Sequence, residues 1–187
     1  MNKKTIFFLR AFFSLIIIAS TLTAAVAHDI KKTQISVEKI KSMCSMVYQQ
    51  VVADNFKPDL LIGLSRGGLV PLGFLAGEQM FNNRMTKMIN TFSYDDQGHQ
   101  KKLNLIFPVH TEEFEHFRSI LVIDDIADSG KTLDYVMTLL KKNLPTQTIK
   151  TATLFYKKRS VIKPDYYAEE TEDWIVFPWE QNPVCFL

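Results

Sequence analysis

Four consecutive aliphatic residues, Ile120-Leu121-Val122-Ile123, run directly into Asp124-Asp125-Ile126 and then Ala127-Asp128-Ser129-Gly130-Lys131-Thr132. A continuous β-branched and aliphatic run has no polar face, so as a strand it must be covered on both sides. Strands of that kind belong to parallel sheets flanked by helices. The step from apolar to acidic marks where the strand leaves the core, and open parallel sheets bind ligands at this carboxyl end. An ordinary strand-to-helix turn with Asp128 or Ser129 as N-cap accounts for one polar residue there. It does not account for three carboxylates around Gly130-Lys131-Thr132.

The segments on either side fit that sheet. Apolar Ile40, Met43, Val47 and Val51 recur at helical spacing, which predicts a first helix over 35–52. Leu60 to Leu64 reads as a short buried strand, and Leu69 to Met80 as a helix with Pro71 near its start. Met88 to Phe92 reads as a strand, and the polar run 93–102 as a loop. A helix over about 132–143 ends at Leu144-Pro145, and strands follow at Thr151 to Phe155 and Trp174 to Phe177. The fold class expected is α/β, a mostly parallel central sheet flanked by helices.

Composition narrows the function. With 187 residues, 47% hydrophobic and 22% charged, the chain is long enough for one globular domain and unlike a disordered tail. A net charge of +2 leaves no electrostatic footprint for nucleic acid, so no nucleic-acid partner is expected. Two distant cysteines, Cys44 and Cys185, allow one disulfide at most, and four scattered histidines argue against a structural zinc site. His110 and His116 read as surface or satisfied residues, and Met43, Met46 and Cys44 as helix packing.

The N-terminus differs from the rest. Lys3, Lys4 and Arg10 precede an uncharged stretch of 17 residues, Ala11 to Ala27, that ends in Ala25-Val26-Ala27. A basic start, an apolar run and an A-x-A site form a secretory signal peptide pattern. An uncleaved membrane anchor is the second reading, since the stretch reaches the lower limit for a span, and a buried core helix is the third. The expected organisation is residues 1–27 as signal peptide or anchor and 28–187 as the functional domain. That makes the protein exported or membrane-anchored, with a cytoplasmic protein as the alternative. Cleavage after Ala27 removes three cations and no acid, taking the formal charge from +2 to −1.

At the end of the strong strand, Asp124 and Asp125 are suited to sugar hydroxyls or to a hard cation such as Mg2+. Small and hydroxylic residues then open a helix whose unpaired N–H groups form a phosphate cradle. Gly130-Lys131-Thr132 is not an NTPase P-loop, because the glycine required five positions earlier is Asp125.

Residues 120–132 resemble the phosphoribosyl pyrophosphate (PRPP) motif of type I phosphoribosyltransferases. Leu64-Ser65-Arg66-Gly67-Gly68-Leu69-Val70-Pro71 is similar to the pyrophosphate loop of the bacterial xanthine-guanine and hypoxanthine enzymes. Ser93-Tyr94-Asp95 resembles the start of their flexible loop, Phe155-Tyr156-Lys157 their base-reading strand end, and Asp173 to Glu180 their purine-stacking segment. The match covers roughly 33–182. The resemblance implies the type I phosphoribosyltransferase fold with a small hood from the N- and C-terminal segments. It implies transfer of phosphoribose from PRPP to hypoxanthine, guanine or xanthine, with Mg2+, by a homo-oligomer. By the same resemblance Asp124 and Asp125 take the ribose hydroxyls and the metal, with Asp125 the better candidate for contact with Mg2+. Ala127, Asp128, Ser129, Gly130, Lys131 and Thr132 bind PRPP, Asp128 being the catalytic carboxylate that faces the purine. Ser65, Arg66, Gly67 and Gly68 bind pyrophosphate, and Lys157, Trp174 and Ile175 bind the base.

Bland readings stand beside these. Trp174 in a short apolar strand also reads as core, Trp179 as packing, and Lys157 with Lys158 and Arg159 as a solvated basic run. The runner-up function is a non-catalytic PRPP- or nucleotide-binding regulator on the same fold, and a third is transfer to a pyrimidine. The purine preferred is not legible in side-chain identity, and a signal peptide is foreign to a family that works where PRPP is made.

Overall fold

The computed structural model describes residues 31–94, 100–105 and 113–180. The segment 1–27, Asp95, His110 and Cys185 lie outside them. Among the described residues no helix is long and apolar enough to cross a membrane.

The aliphatic run occupies the middle of a six-stranded sheet, as β5 (Ser119–Ala127), with Ile120 to Ile123 at most 1% exposed. The other strands of this sheet are β2 (Leu60–Ser65), β3 (Met85–Tyr94), β4 (Gln100–Leu105), β6 (Thr148–Tyr156) and β7 (Tyr166–Glu170). Their order is β4-β3-β2-β5-β6-β7. Every pairing is parallel except β3 with β4. The expected class therefore holds, with one antiparallel strand added at an edge.

Alternate residues of β5 feed two cores. Leu121 and Ile123 pack with helix α1 (Val37–Ala53) and helix α2 (Leu69–Ala76), whereas Ile120 and Val122 pack with helix α3 (Lys131–Asn143). This is why the run has no polar face. Helix α1 buries Ile40, Met43, Cys44, Val47 and Val51 and begins at Ser36, whose Oγ accepts the Lys39 N–H at 3.2 Å. Met46 corrects the packing expectation: it lies on the opposite face and is 44% exposed. Helix α2 stops at Ala76, short of the expected Met80, because Gly77 turns the chain and its N–H bonds Phe74 O.

The polar run 93–102 is not all loop. Ser93 and Tyr94 complete β3, and Gln100 to Lys102 open β4, with a register shift between Phe92 and Tyr94. An edge strand needs a neighbour's backbone rather than a buried face, so its sequence carries no apolar alternation. Strand β7 and strand β1 (Lys32–Gln34) were likewise silent in the sequence.

A second sheet has two strands, β1 and β8 (Trp174–Val176), paired in parallel with Thr33 opposite Ile175. Thr33 Oγ1 donates to Asp173 Oδ2 at 2.6 Å. Ile35, Ile175 and Phe177 from this region join the α1 side of the main core. The N- and C-terminal segments thus form the small hood.

Candidate active site

Three strands of the main sheet end in loops that meet. β5 carries Asp124-Asp125 near its end and runs to Ala127, after which Asp128-Ser129 lead to Gly130 and into α3. Gly130 has φ of 72°, a left-handed conformation that side chains rarely adopt. A Cβ there would overlap Ser160 Oγ and sit 3.1 Å from the Val161 nitrogen. No side chain caps α3, so neither Asp128 nor Ser129 serves as N-cap, and the first N–H groups of the helix are left without a side-chain cap, as a phosphate cradle would require. Ala127 and Gly130 are buried, Asp128, Ser129 and Thr132 are half-buried, and Lys131 is exposed.

The turn after β2 lies against the same acids. Ser65-Arg66 is a cis peptide. A Cβ on Gly67 would overlap the Asp125 carboxylate, and one on Gly68 would lie 2.5 Å from Ile123 O and 2.7 Å from Leu64 O. Only glycine allows this approach of the Ser65 to Gly68 turn to the end of β5. The turn is also tied to β3: Ser65 Oγ donates to Asn90 Oδ1 at 2.8 Å, and Thr91 Oγ1 donates to Ser65 O at 2.9 Å. Arg66 is exposed at its tip.

Asp124 Oδ1 accepts the Asp125 N–H at 3.0 Å. Burial raises the Asp124 carboxyl well above its usual range, and the neighbouring Asp125 charge adds to the rise. Burial likewise pushes Asp125 up to about 7; the Ile126 N–H opposes this, and the Glu180 carboxylate reinforces it. Neither acid has an ion-pair partner among the described residues. Two enclosed, unneutralised carboxylates form an all-oxygen donor set that fits a hard divalent cation such as Mg2+.

The third loop follows β6. Lys157 is 1% exposed, and its Nζ lies 3.2 Å from Asp128 Oδ2. It is therefore not part of a solvated basic run, whereas Lys158 is exposed and pairs with Glu170 at 2.9 Å. Arg159 donates to Asp128 Oδ1 from Nε at 2.8 Å and also from Nη2. The backbone is stitched across as well, Lys157 N–H to Ala127 O and Val161 N–H to Ser129 O, both 3.0 Å.

In the hood, Trp174 is 52% exposed, so it is not core. Ile175 is 7% exposed and its side chain belongs to the core. Trp179 stacks on Phe177 with ring centroids 4.7 Å apart, the packing role expected of it. His116 is exposed, as expected. Four contributors escaped the sequence: Asn90 and Thr91, which hold the turn after β2, Arg159 on Asp128, and Glu180 acting on Asp125. Their proximity depends on tertiary contacts, and only the basic run at 157–159 carried a signal.

An acid pair, a glycine-opened helix and a two-glycine turn are gathered at one end of a parallel sheet. The chain belongs to the phosphoribosyl transferase domain family, which matches residues 26–182, and it is a phosphoribosyltransferase. It is 30% identical over 159 residues to a xanthine-guanine phosphoribosyltransferase of Idiomarina loihiensis, covering 83% of this chain and 91% of that one. Among solved structures, a purine phosphoribosyltransferase from Pyrococcus horikoshii Ot3 is similar with a TM-score of 0.68 and 33% identity, over 82% of this chain and 97% of that one. A Helicobacter pylori xanthine-guanine-hypoxanthine phosphoribosyltransferase also gives 0.68, with 28% identity over 80% and 94%.

Proposed function

We propose that the chain transfers the 5-phosphoribosyl group of PRPP to a 6-oxopurine, hypoxanthine, guanine or xanthine. The products are a nucleoside 5′-monophosphate and pyrophosphate. The observation that carries this reading is Lys157, a buried cation at the end of β6 whose ammonium lies beside the Asp128 carboxylate. A desolvated donor next to an acceptor matches the 6-oxo group and the imidazole N–H of such a base.

The purine nitrogen attacks C1 of the ribose as the C1–O bond to pyrophosphate breaks, and positive charge develops on the ring between them. The enzyme's task is to align three parts and stabilise the separating charge. The N-terminus of α3, with Ser129, Lys131 and Thr132, holds the 5′-phosphate. Asp124 and Asp125 hold the ribose hydroxyls, and Arg66 with the backbone of Gly67 and Gly68 receives pyrophosphate. Asp128 accepts the proton of the purine imidazole, Lys157 reads the 6-oxo oxygen, Trp174 offers a stacking face, and the backbone of Ile175 lines the base. Mg2+, held by Asp125 with Asp124, would neutralise charge on the pyrophosphate oxygens.

The test supplies PRPP and Mg2+ with hypoxanthine, guanine, xanthine, adenine or uracil and follows pyrophosphate release. Turnover with 6-oxopurines is expected. PRPP binding without turnover of any base would instead make the chain a ligand-binding regulator. Asp128→Asn should lower kcat by about a hundredfold to ten-thousandfold and leave PRPP affinity intact; full activity in that variant would remove Asp128 from the mechanism.

The N-terminal pattern supports export with cleavage after Ala27, or anchoring where it stays uncut. Mass spectrometry of the N-terminus of the cell-derived protein distinguishes these from a cytoplasmic form. Assembly as a homo-oligomer is part of the same reading, and sedimentation velocity tests it.

A further inference from the structure

The reaction described above gives Arg159 no role, yet its guanidinium is committed to the one carboxylate that meets the base. Nε donates to Asp128 Oδ1 at 2.8 Å and Nη2 donates to the same oxygen. Among the described residues Oδ2 has a single donor, Lys157 Nζ at 3.2 Å. Oδ1 is thus filled by two N–H groups of a planar fork, while Oδ2 keeps lone-pair room on the side of the buried lysine. The backbone that carries Arg159 is fixed on both sides. Lys157 N–H bonds Ala127 O and Val161 N–H bonds Ser129 O, each at 3.0 Å, and Ser160 N–H closes the turn on Lys157 O at 2.9 Å. The segment bearing the arginine and the loop bearing the aspartate are therefore one stitched unit.

We propose that Arg159 is a positioning residue that pins Asp128 Oδ1 and so presents Oδ2, beside Lys157, to the incoming base. This rests on the reading that Asp128 meets the purine. It adds that the rotation of a short carboxylate is removed before the base arrives, which is where alignment gains most. A lysine at this position would bring the charge without the fork.

A double-mutant cycle tests the proposal, with Arg159→Ala, Asp128→Asn and the pair compared with the wild-type chain in kcat, in KM for the base and in Kd for PRPP. Arg159→Ala should lower kcat/KM for the base by about tenfold to a hundredfold and leave the PRPP Kd unchanged. In the Asp128→Asn background, removing the arginine should cost nothing more. Millimolar guanidinium ion should restore part of the activity of Arg159→Ala, because the position is half exposed, and Arg159→Lys should recover little. Thermal unfolding checks that each variant is folded, and Arg159→Gln replaces the alanine if it is not. Additive losses in an active wild-type background, or a loss that falls on PRPP affinity, would overturn the proposal. Absence of purine turnover in the wild-type chain would overturn the underlying reading, and is seen before any variant is made.

Discussion

Gly130 and Asp125 show how single residues set the site's limits. At Gly130 the left-handed backbone costs a side chain about 1–2 kcal/mol, and Ser160 already fills the space a Cβ would take. Gly130→Ala is expected to lower the thermal midpoint by a few degrees and to abolish PRPP binding measured by calorimetry; wild-type affinity would show that the turn tolerates a side chain. Asp125 gives a pH dependence with a defined sign. Its carboxyl is raised to about 7 in the folded chain, against about 4 when unfolded. The folded state therefore holds a proton that the unfolded chain releases, so this residue's contribution to stability is full below about pH 4 and is lost as pH rises through about 7. In the ligand-free chain, Asp125→Asn should gain stability relative to wild type from pH 5 to pH 8 in thermal unfolding. A constant difference would contradict the shift. These two residues were legible in the sequence, because a strand end and the helix after it are consecutive. Arg159 was not, since 31 positions separate it from Asp128 and a basic run looks the same whether solvated or folded onto an acid.

At the scale of elements, the site is a product of strand order. Placing β2 and β6 on either side of β5 brings the turn at Ser65 to Gly68 and the turn at Lys157 to Val161 against one acid pair and its loop. β3 matters although it carries no reacting group. Asn90 and Thr91, midway along it and level with the carboxyl end of β2, bond Ser65 from the far side. Asn90→Ala removes one exposed hydrogen bond, so the fold should lose little, roughly 1 kcal/mol or less, while KM for PRPP rises several-fold in steady-state assays. An unchanged KM would mean that the turn holds itself. The buried strands β2, β5 and β6 and the amphipathic helices α1 and α3 were readable because each buries a pattern of its own. β4 and β7 were not, because edge strands are held by a neighbour's backbone, and α2 was read too long because an apolar sequence hides a turn.

For the whole molecule, the hood joins the two ends of the domain, and the exposed Trp174 depends on it. Among the described residues, the strand that bears Trp174 has β1 as its only ladder partner, reinforced by the hydrogen bond from Thr33 to Asp173. Starting the chain at Ser36 should leave the main sheet and the PRPP site in place and raise KM for the base more than KM for PRPP. Equal increases would show that the hood supports the whole site. The same pairing sets an order of events during synthesis. Thr33 and Asp173 lie 140 positions apart, so β1 waits for β8 to be made before this ladder can form. The main sheet can begin to assemble on a nascent chain, but the hood that exposes Trp174 forms only after residues 174–176 have been made.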